Sequence, residues 1–178
     1  MTRLVFATVG TDHHQFGRMV AWVDSWLEAN GPGGVDGLIQ IGTSPAPRLA
    51  RSVAYLDYQH MEDAMRRAAA IVTHGGPGSI MLATYLGKMP IVIPRRAALG
   101  EHVDDHQVAF TARLAAAGTI MLADSEARLH ELLSVVVAGD GAATVAPDRG
   151  HVGATVRRFE RLVGEMVGEG AAPPRVAA

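Results

Sequence analysis

Short runs of consecutive apolar residues alternate along the chain with longer stretches in which apolar residues recur every three or four positions. The short runs are bounded by glycine and proline and are typical of buried β-strands, whereas the longer stretches are typical of amphipathic helices. Strands are predicted at residues 4–9, 38–41, 53–58, 71–73, 90–94 and 119–122. Helices are predicted at residues 16–27, 61–69, 80–86 and 105–117, and a further one, capped by Asp124 or Ser125, runs to residue 137.

Continuous apolar strands that alternate with helices predict a doubly wound α/β fold, in which helices cover both faces of a parallel sheet. Ligands of such folds bind beyond the carboxyl ends of the strands. Two glycine-containing turns, Gly10-Thr11 and residues 74–79, each follow a predicted strand. We therefore expect the two turns to face one crevice.

The last forty residues change in character. Residues 139–150 are predicted to form a loop, and an apolar stripe then marks a final helix at residues 152–167. That helix either packs on the parent sheet or forms an interface with a partner chain. Residues 168–178 are expected to be disordered, so residues 1–167 are predicted to form a single domain.

The composition narrows the functional classes. A formal net charge of −2 and a pI near 6.4 provide no broad basic field, so nucleic acid is not an expected partner. The absence of cysteine excludes disulfides and thiolate chemistry and is compatible with a reducing cytoplasm. Because no apolar run has the length of a signal peptide core or a membrane span, we expect a soluble, cytosolic chain.

The segment His74-Gly75-Gly76-Pro77-Gly78-Ser79 joins a predicted strand to a predicted helix. Its glycines would let the backbone approach an anion closely, and the first N–H groups of the helix would have no intrahelical partner. The helix dipole adds positive partial charge at the same end, and Ser79 adds a hydroxyl donor. This turn either binds phosphate or only joins the strand to the helix.

Two pairs of histidines are candidates for chemistry. His13 and His14 follow Gly10-Thr11 and either approach the crevice, where one could act as a general base, or lie at the surface where the first helix opens. His102 and His106 are four residues apart and would share a helix face. With no HExxH-type glutamate between them and no third ligand evident, no metal site is predicted.

These motifs resemble those of a known family. The glycine turn, Gly87-Lys88-Met89-Pro90, the run from residue 95 to residue 107, and residues 5–11 resemble the nucleotide-sugar-binding half of GT-B glycosyltransferases, most closely the family 28 C-terminal domain. The likeness covers residues 3–122. Within the family it is best to free-standing small subunits of two-part transferases. These are bacterial exopolysaccharide enzymes and the catalytic subunit of the eukaryotic transferase that adds the second N-acetylglucosamine to a dolichol-linked sugar.

The resemblance implies the donor-binding subunit of an inverting glycosyltransferase. Such a subunit moves a sugar from a UDP-sugar to a lipid-linked acceptor, in exopolysaccharide or glycolipid synthesis, and needs no cofactor besides that donor. A membrane-anchored partner would bring the acceptor and hold the chain at the inner face of the membrane. The alternatives are a non-catalytic accessory subunit that binds nucleotide-sugar, and a small UDP-sugar epimerase or hydrolase.

The resemblance also implies roles for residues of the site. The nucleotide diphosphate would lie on His74, Gly75, Gly76, Gly78 and Ser79, and His106-Gln107 would reach the hydroxyls of the donor sugar. Arg95 or Arg96 would offset the diphosphate charge, unless both are solvated surface residues. In many plant-type relatives an acidic residue three positions after the serine holds the ribose, but this chain has Leu82 there. Glu101 either replaces that acid or caps the helix that starts near Asp104. Members of this family need no metal held by protein side chains.

Overall fold

The structure is a computed structural model and describes residues 2–139. The predicted loop beyond Gly139, the final helix at 152–167 and the tail at 168–178 lie outside the described residues. The sequence predictions made for them therefore stay predictions.

Strands and helices alternate through the described part of the chain. The strands are β1 (Arg3–Thr8), β2 (Val35–Gln40), β3 (Arg51–Val53), β4 (Ala70–His74), β5 (Ile91–Ile93) and β6 (Met121–Leu122). The helices are α1 (Gly17–Asn30), α2 (Tyr58–Arg67), α3 (Pro77–Tyr85), α4 (His106–Ala116) and α5 (Glu126–Ala138). Within residues 2–139, no helix combines the length and the apolar character needed to cross a membrane.

All the strand pairs of the sheet are parallel, and their spatial order is β3-β2-β1-β4-β5-β6. This arrangement confirms the predicted doubly wound α/β class. The order reverses between the neighbours β1 and β4, where Thr8 pairs with Thr73. The turns that follow these two strands therefore emerge side by side at the point where ligands bind in this class of fold.

The alternation of side chains along β1 builds two apolar layers. Val5 and Ala7 belong to the cluster that includes Trp26 of α1 and Leu133 of α5. The intervening Phe6 belongs to a second cluster, which contains residues of α2 and α3. Both faces of the sheet are thus covered by apolar side chains. A fully buried side chain such as that of Val5, Phe6 or Leu133 contributes about 1.5–3 kcal/mol to the free energy of unfolding.

The third predicted strand differs from the structure. Residues 53–58 were expected to be extended, but β3 ends at Val53 and α2 begins at Tyr58. Asp57 explains the early start of the helix, because its side chain accepts a hydrogen bond from the His60 N–H at 2.9 Å and so caps α2.

Two further helix starts are set by local chemistry. Helix α3 begins at Pro77, inside the glycine turn, and not at residue 80, because proline tolerates the first position of a helix, where its missing N–H costs nothing. Of the two predicted caps for α5, it is Ser125 that accepts a hydrogen bond from the Arg128 N–H, at 3.3 Å.

Candidate functional site

A cleft of about 240 Å³ opens at the carboxyl ends of β1 and β4. The two glycine turns meet there, as expected, and β2 and α2 complete the walls. The lining residues are Thr8, Gly10, Thr11, Gln40, Met61, His74, Gly76, Pro77, Gly78 and Ser79. Among the residues predicted to bind the donor, the cleft brings together Gly10, Thr11, His74, Gly76, Gly78 and Ser79.

The start of α3 presents main-chain donors to this cleft. The first hydrogen bond of the helix runs from the Ile80 N–H to the Gly76 carbonyl at 3.4 Å, so the N–H groups of Gly78 and Ser79 precede the ladder. Gly78 is exposed, and a Cβ atom there would meet nothing within 4 Å. Free N–H groups, open space and the positive end of the helix dipole suit a phosphate group.

The imidazole of His74 fills the space between the two turns. A Cβ atom on Gly10 would lie 2.4 Å from its Cε1, and one on Gly76 would lie 2.1 Å from its Nε2, so a side chain at either position would have to displace the ring. Burial, and then the charge of Arg95, lower the pKa of His74 to about 4 despite a hydrogen bond to the main chain of Thr8. The ring is therefore neutral at pH 7 and offers hydrogen bonding without charge.

Gln107 supports the glycine turn from behind. Its side chain is buried, and its Oε1 accepts hydrogen bonds from the Gly75 N–H at 3.0 Å and the Arg95 N–H at 3.2 Å. The acceptor oxygen that was expected to contact sugar hydroxyls is therefore bound to the main chain. That oxygen is therefore not available to a sugar hydroxyl, and the predicted contact of Gln107 with the donor sugar stays a prediction.

Arg95 does not reach a ligand, because its side chain is fully buried. Its guanidinium donates to the main-chain carbonyls of Val9, His14 and Glu101, each at 2.8 Å. It thereby ties together the segments that follow β1 and β5. The predicted contact of Arg95 with the diphosphate is wrong, since a charge enclosed in this way holds loops together and offers no donor to the cleft.

Glu101 is likewise bound within the fold. Its carboxylate accepts hydrogen bonds from the Arg18 side chain at 2.7 and 2.8 Å and from the Arg96 N–H at 2.9 Å. With only 6% of its side chain exposed, it cannot hold a ribose. The alternative role as a helix cap is also wrong, because α4 begins at His106 and is preceded by Asp105.

The sequence missed three residues of the cleft: Thr8, Gln40 and Met61. Gln40 had a recognisable signal, since it is a polar residue at the carboxyl end of β2 that follows the apolar Leu38 and Ile39. Its Nε2 donates to the Gly10 carbonyl at 3.2 Å, and its Oε1 accepts from the Leu56 N–H at 2.9 Å. Leu82, at the position of the expected ribose acid, packs against the apolar cluster around Phe6 instead.

The predicted histidines form a separate group beside the cleft. They lie on the segments that follow β1 and β5. His14 Nδ1 lies 2.6 Å from Asp12 Oδ1, whereas 83% of the His13 side chain is exposed. Burial acts to raise the pKa of Asp12, but hydrogen bonds from the main chain and ring of His14 outweigh it and lower the pKa to about 2. The carboxylate is therefore ionised at neutral pH and orients the His14 ring.

His102 and His106 belong to the same group, with ring centroids 4.7 Å apart. They were expected to share a helix face, which is wrong because α4 begins only at His106. The loop instead turns His102 toward Asp12, with 3.6 Å between its Nε2 and Asp12 Oδ2. The ring of His106 hydrogen-bonds Asp104, and neither residue lines the cleft. The predicted contact of His106 with the donor sugar stays a prediction.

The architecture and the motifs agree with comparisons to known proteins. A model of the glycosyltransferase family 28 C-terminal domain matches residues 4–144. No curated protein matches the chain.

Solved structures similar to this chain include enzymes that act on sugars. The glycotransferase of kitacinnamycin has 17% identity and a TM-score of 0.58, over 93% of this chain and 41% of that one. UDP-GlcNAc 2-epimerase from Neisseria meningitidis has 12% identity and a TM-score of 0.56, over 91% and 44%. The glycosyltransferase VinC has 18% identity and a TM-score of 0.51, over 93% and 41%. At these identities the likeness is one of fold, and this chain spans about two fifths of each of these longer proteins.

Proposed function

The chain belongs to the glycosyltransferase family 28 C-terminal domain family, and from that premise we propose that it binds the nucleotide-sugar donor of an inverting glycosyltransferase. The observation that carries the proposal is the cleft at the switch point between β1 and β4. There the N-terminus of α3 points free N–H groups at the space that a diphosphate would occupy.

The donor in this proposal is a UDP-sugar. A nucleoside diphosphate carries two or more negative charges, and the dipole of α3 with the Gly78 and Ser79 N–H groups would offset them. The neutral His74 ring would add a hydrogen bond without charge. Two proteins of similar fold support a nucleoside diphosphate as the ligand, since the epimerase is bound to UDP-GlcNAc and VinC is in complex with dTDP.

The acceptor is, in this proposal, a lipid-linked sugar that a second, membrane-anchored protein holds. The longer proteins of similar fold have more than twice the length that this chain matches. A GT-B enzyme holds its acceptor between two Rossmann-like halves, and the described residues form one such unit. Association with the partner would bring this chain to the inner face of the membrane, for exopolysaccharide or glycolipid synthesis.

Inversion requires in-line attack by an acceptor hydroxyl, a base that takes its proton, and stabilisation of the departing diphosphate. The start of α3 would stabilise the leaving group. Between the two candidate bases, His14 fits better than His13, because Asp12 fixes its ring at 2.6 Å as a carboxylate does in a general-base pair. His14 is also largely covered, with 23% of its side chain exposed.

The binding site is tested by a charge placed at Gly78. In Gly78→Asp the carboxylate would face the diphosphate, and we expect the affinity for UDP to fall at least tenfold, which is about 1.4 kcal/mol. The fold should survive, because the position is open and an acidic residue in the first turn of a helix is favourable by about 0.3–1 kcal/mol. Titration calorimetry with UDP and a thermal melt measure the two effects.

Gly78→Asn is the matched control, since it has nearly the same shape without the charge, and it should bind UDP within a few-fold of the wild type. Gly76 is unsuitable for this test because any side chain there would strike the His74 ring. Equal UDP affinity in Gly78→Asp and Gly78→Asn would show that the diphosphate does not bind at this turn.

A further inference from the structure

His102 lies between two carboxylates. Its Nε2 is 3.6 Å from Asp12 Oδ2, and its Nδ1 is 3.5 Å from Asp104 Oδ1. Asp104 also accepts hydrogen bonds from the main-chain N–H of His106, at 3.1 Å, and from the His106 ring. A neutral imidazole has a single N–H and can donate to one carboxylate only. When that N–H is on Nε2 and directed at Asp12, His102 presents an unprotonated Nδ1, which accepts a long hydrogen bond from the Asp104 main-chain N–H at 3.4 Å and lies beside Asp104 Oδ1.

We propose that His102, Asp104 and His106 bind a divalent transition-metal ion of the zinc class. The donors would be the Nδ1 atoms of both histidines and one oxygen of Asp104. One ligand atom from each of the three residues lies within 4.8 Å of those from the other two. In a tetrahedral zinc site with bonds of about 2.0–2.1 Å, neighbouring ligand atoms are about 3.4 Å apart. The 3.5 Å between His102 and Asp104 already matches that spacing, and His106 would have to move away from Asp104.

The surroundings of His102 match those of a metal ligand. A histidine that binds metal through one nitrogen usually donates its other N–H to a carboxylate, which fixes the tautomer and the ring orientation. Asp12 is placed for this role, and the main-chain N–H of His14 holds its carboxylate at 2.7 Å. Two imidazoles and one carboxylate favour zinc over magnesium or calcium, which prefer oxygen ligands.

The proposed metal site experiences both favourable and unfavourable electrostatic contributions, and the two carboxylates make the balance favourable to a cation. The ion would lie at the start of α4, where the helix dipole opposes a cation. Asp12 and Asp104 together supply two negative charges within reach of His102. Since 45% of the His106 side chain and 59% of the Asp104 side chain are exposed, an ion and a fourth ligand, such as water, can enter from solvent.

Metal binding is tested on the whole chain without an affinity tag. We expect calorimetry with zinc chloride to give one tight ion per chain, and cobalt(II) to give the visible absorption bands of a tetrahedral site. His102→Ala and His106→Ala should each weaken binding at least tenfold. Asp12→Asn should weaken it by about tenfold, as loss of an outer carboxylate does. If His102→Ala fails to fold by circular dichroism, His102→Gln replaces it.

His60→Ala is the matched control. His60 pairs with Asp57 at the start of α2, at 2.8 Å, and its main-chain N–H and ring both bind the carboxylate, as those of His106 bind Asp104, although the spacing is three residues instead of two. It should bind zinc as the wild type does. The proposal is overturned if the wild type shows no saturable zinc binding, or if His60→Ala loses as much affinity as His106→Ala. It is also overturned if binding needs His13 and not His106, which would move the ion to the group of Asp12, His13 and His14. UDP binding is a separate measurement, so failure here leaves the donor site untouched.

Discussion

At the scale of single residues, one imidazole lies between the two glycine turns. The His74 ring occupies the space that side chains on Gly10 and Gly76 would need, so the three positions are coupled by contact. The sequence alone pointed to glycine flexibility and phosphate approach. The structure adds a steric reason, because the glycines make room for a half-buried histidine that lines the cleft.

The depressed pKa of His74 predicts how stability depends on pH. An unfolded histidine takes up a proton near pH 6.5, but His74 in the folded state does so only near pH 4. Between these pH values the unfolded state binds more protons than the folded state. The contribution of His74 to the free energy of unfolding is therefore intact above pH 6.5 and is lost as the pH falls to 4. The full shift is worth about 3 kcal/mol in the free energy of unfolding.

Urea unfolding at pH values from 7 to 4 measures this loss, with His74→Gln as the comparison because glutamine does not titrate. The free energy of unfolding of the wild type should fall more steeply than that of His74→Gln, and the other histidines cancel in the difference. Parallel curves would show that His74 titrates normally.

At the scale of elements, the side chain of Gln107 joins α4 to the glycine turn and to the segment after β5. We expect Gln107→Ala to lower the free energy of unfolding by about 2 kcal/mol or more, because it leaves the buried N–H groups of Gly75 and Arg95 without their acceptor. UDP affinity should fall as well, since the turn loses its support. Urea unfolding and calorimetry measure both effects.

Val108→Ala is the control for that experiment, because Val108 is the next residue of α4 and is exposed. It should change the free energy of unfolding by about 0.5 kcal/mol or less. Unchanged stability in Gln107→Ala would mean that Gln107 does not position the turn.

The elements themselves were largely predictable, and the limits of the prediction have physical causes. Apolar runs such as residues 4–9 and 71–73 identified β1 and β4, because strands buried on both faces need continuous apolar sequence. The start of α2 was missed because a side-chain cap outweighed the apolar character of residues 53–58. The partners of Arg95 and Glu101 were not readable from local sequence, since Arg95 reaches Val9 and Glu101 reaches Arg18 across more than 80 residues.

At the scale of the whole molecule, the described residues build one Rossmann-like unit, whereas the proteins of similar fold are more than twice as long as the matched region. We therefore predict that the purified chain binds UDP-sugar yet transfers no sugar alone. Transfer should appear when membranes that contain the acceptor-binding partner are added. Robust transfer by the isolated chain to a soluble acceptor would refute the two-component proposal, and an absence of transfer with binding retained even beside the partner would favour an accessory subunit.

The reconstituted system also locates the base. If His14 takes the acceptor proton, His14→Ala should reduce the transfer rate about 10²–10⁴-fold while UDP affinity stays as in the wild type, because the proposed base does not contact the diphosphate. His13→Ala is the matched control: its ring is one residue away, mostly in solvent, and 3.9 Å from Asp12 where His14 is at 2.6 Å. Initial rates at saturating donor, measured across pH, separate a lost base from a lost fold. A wild-type rate in His14→Ala would assign the base to the partner subunit, since the Asp12 and His14 pair would then have no part in the proton transfer.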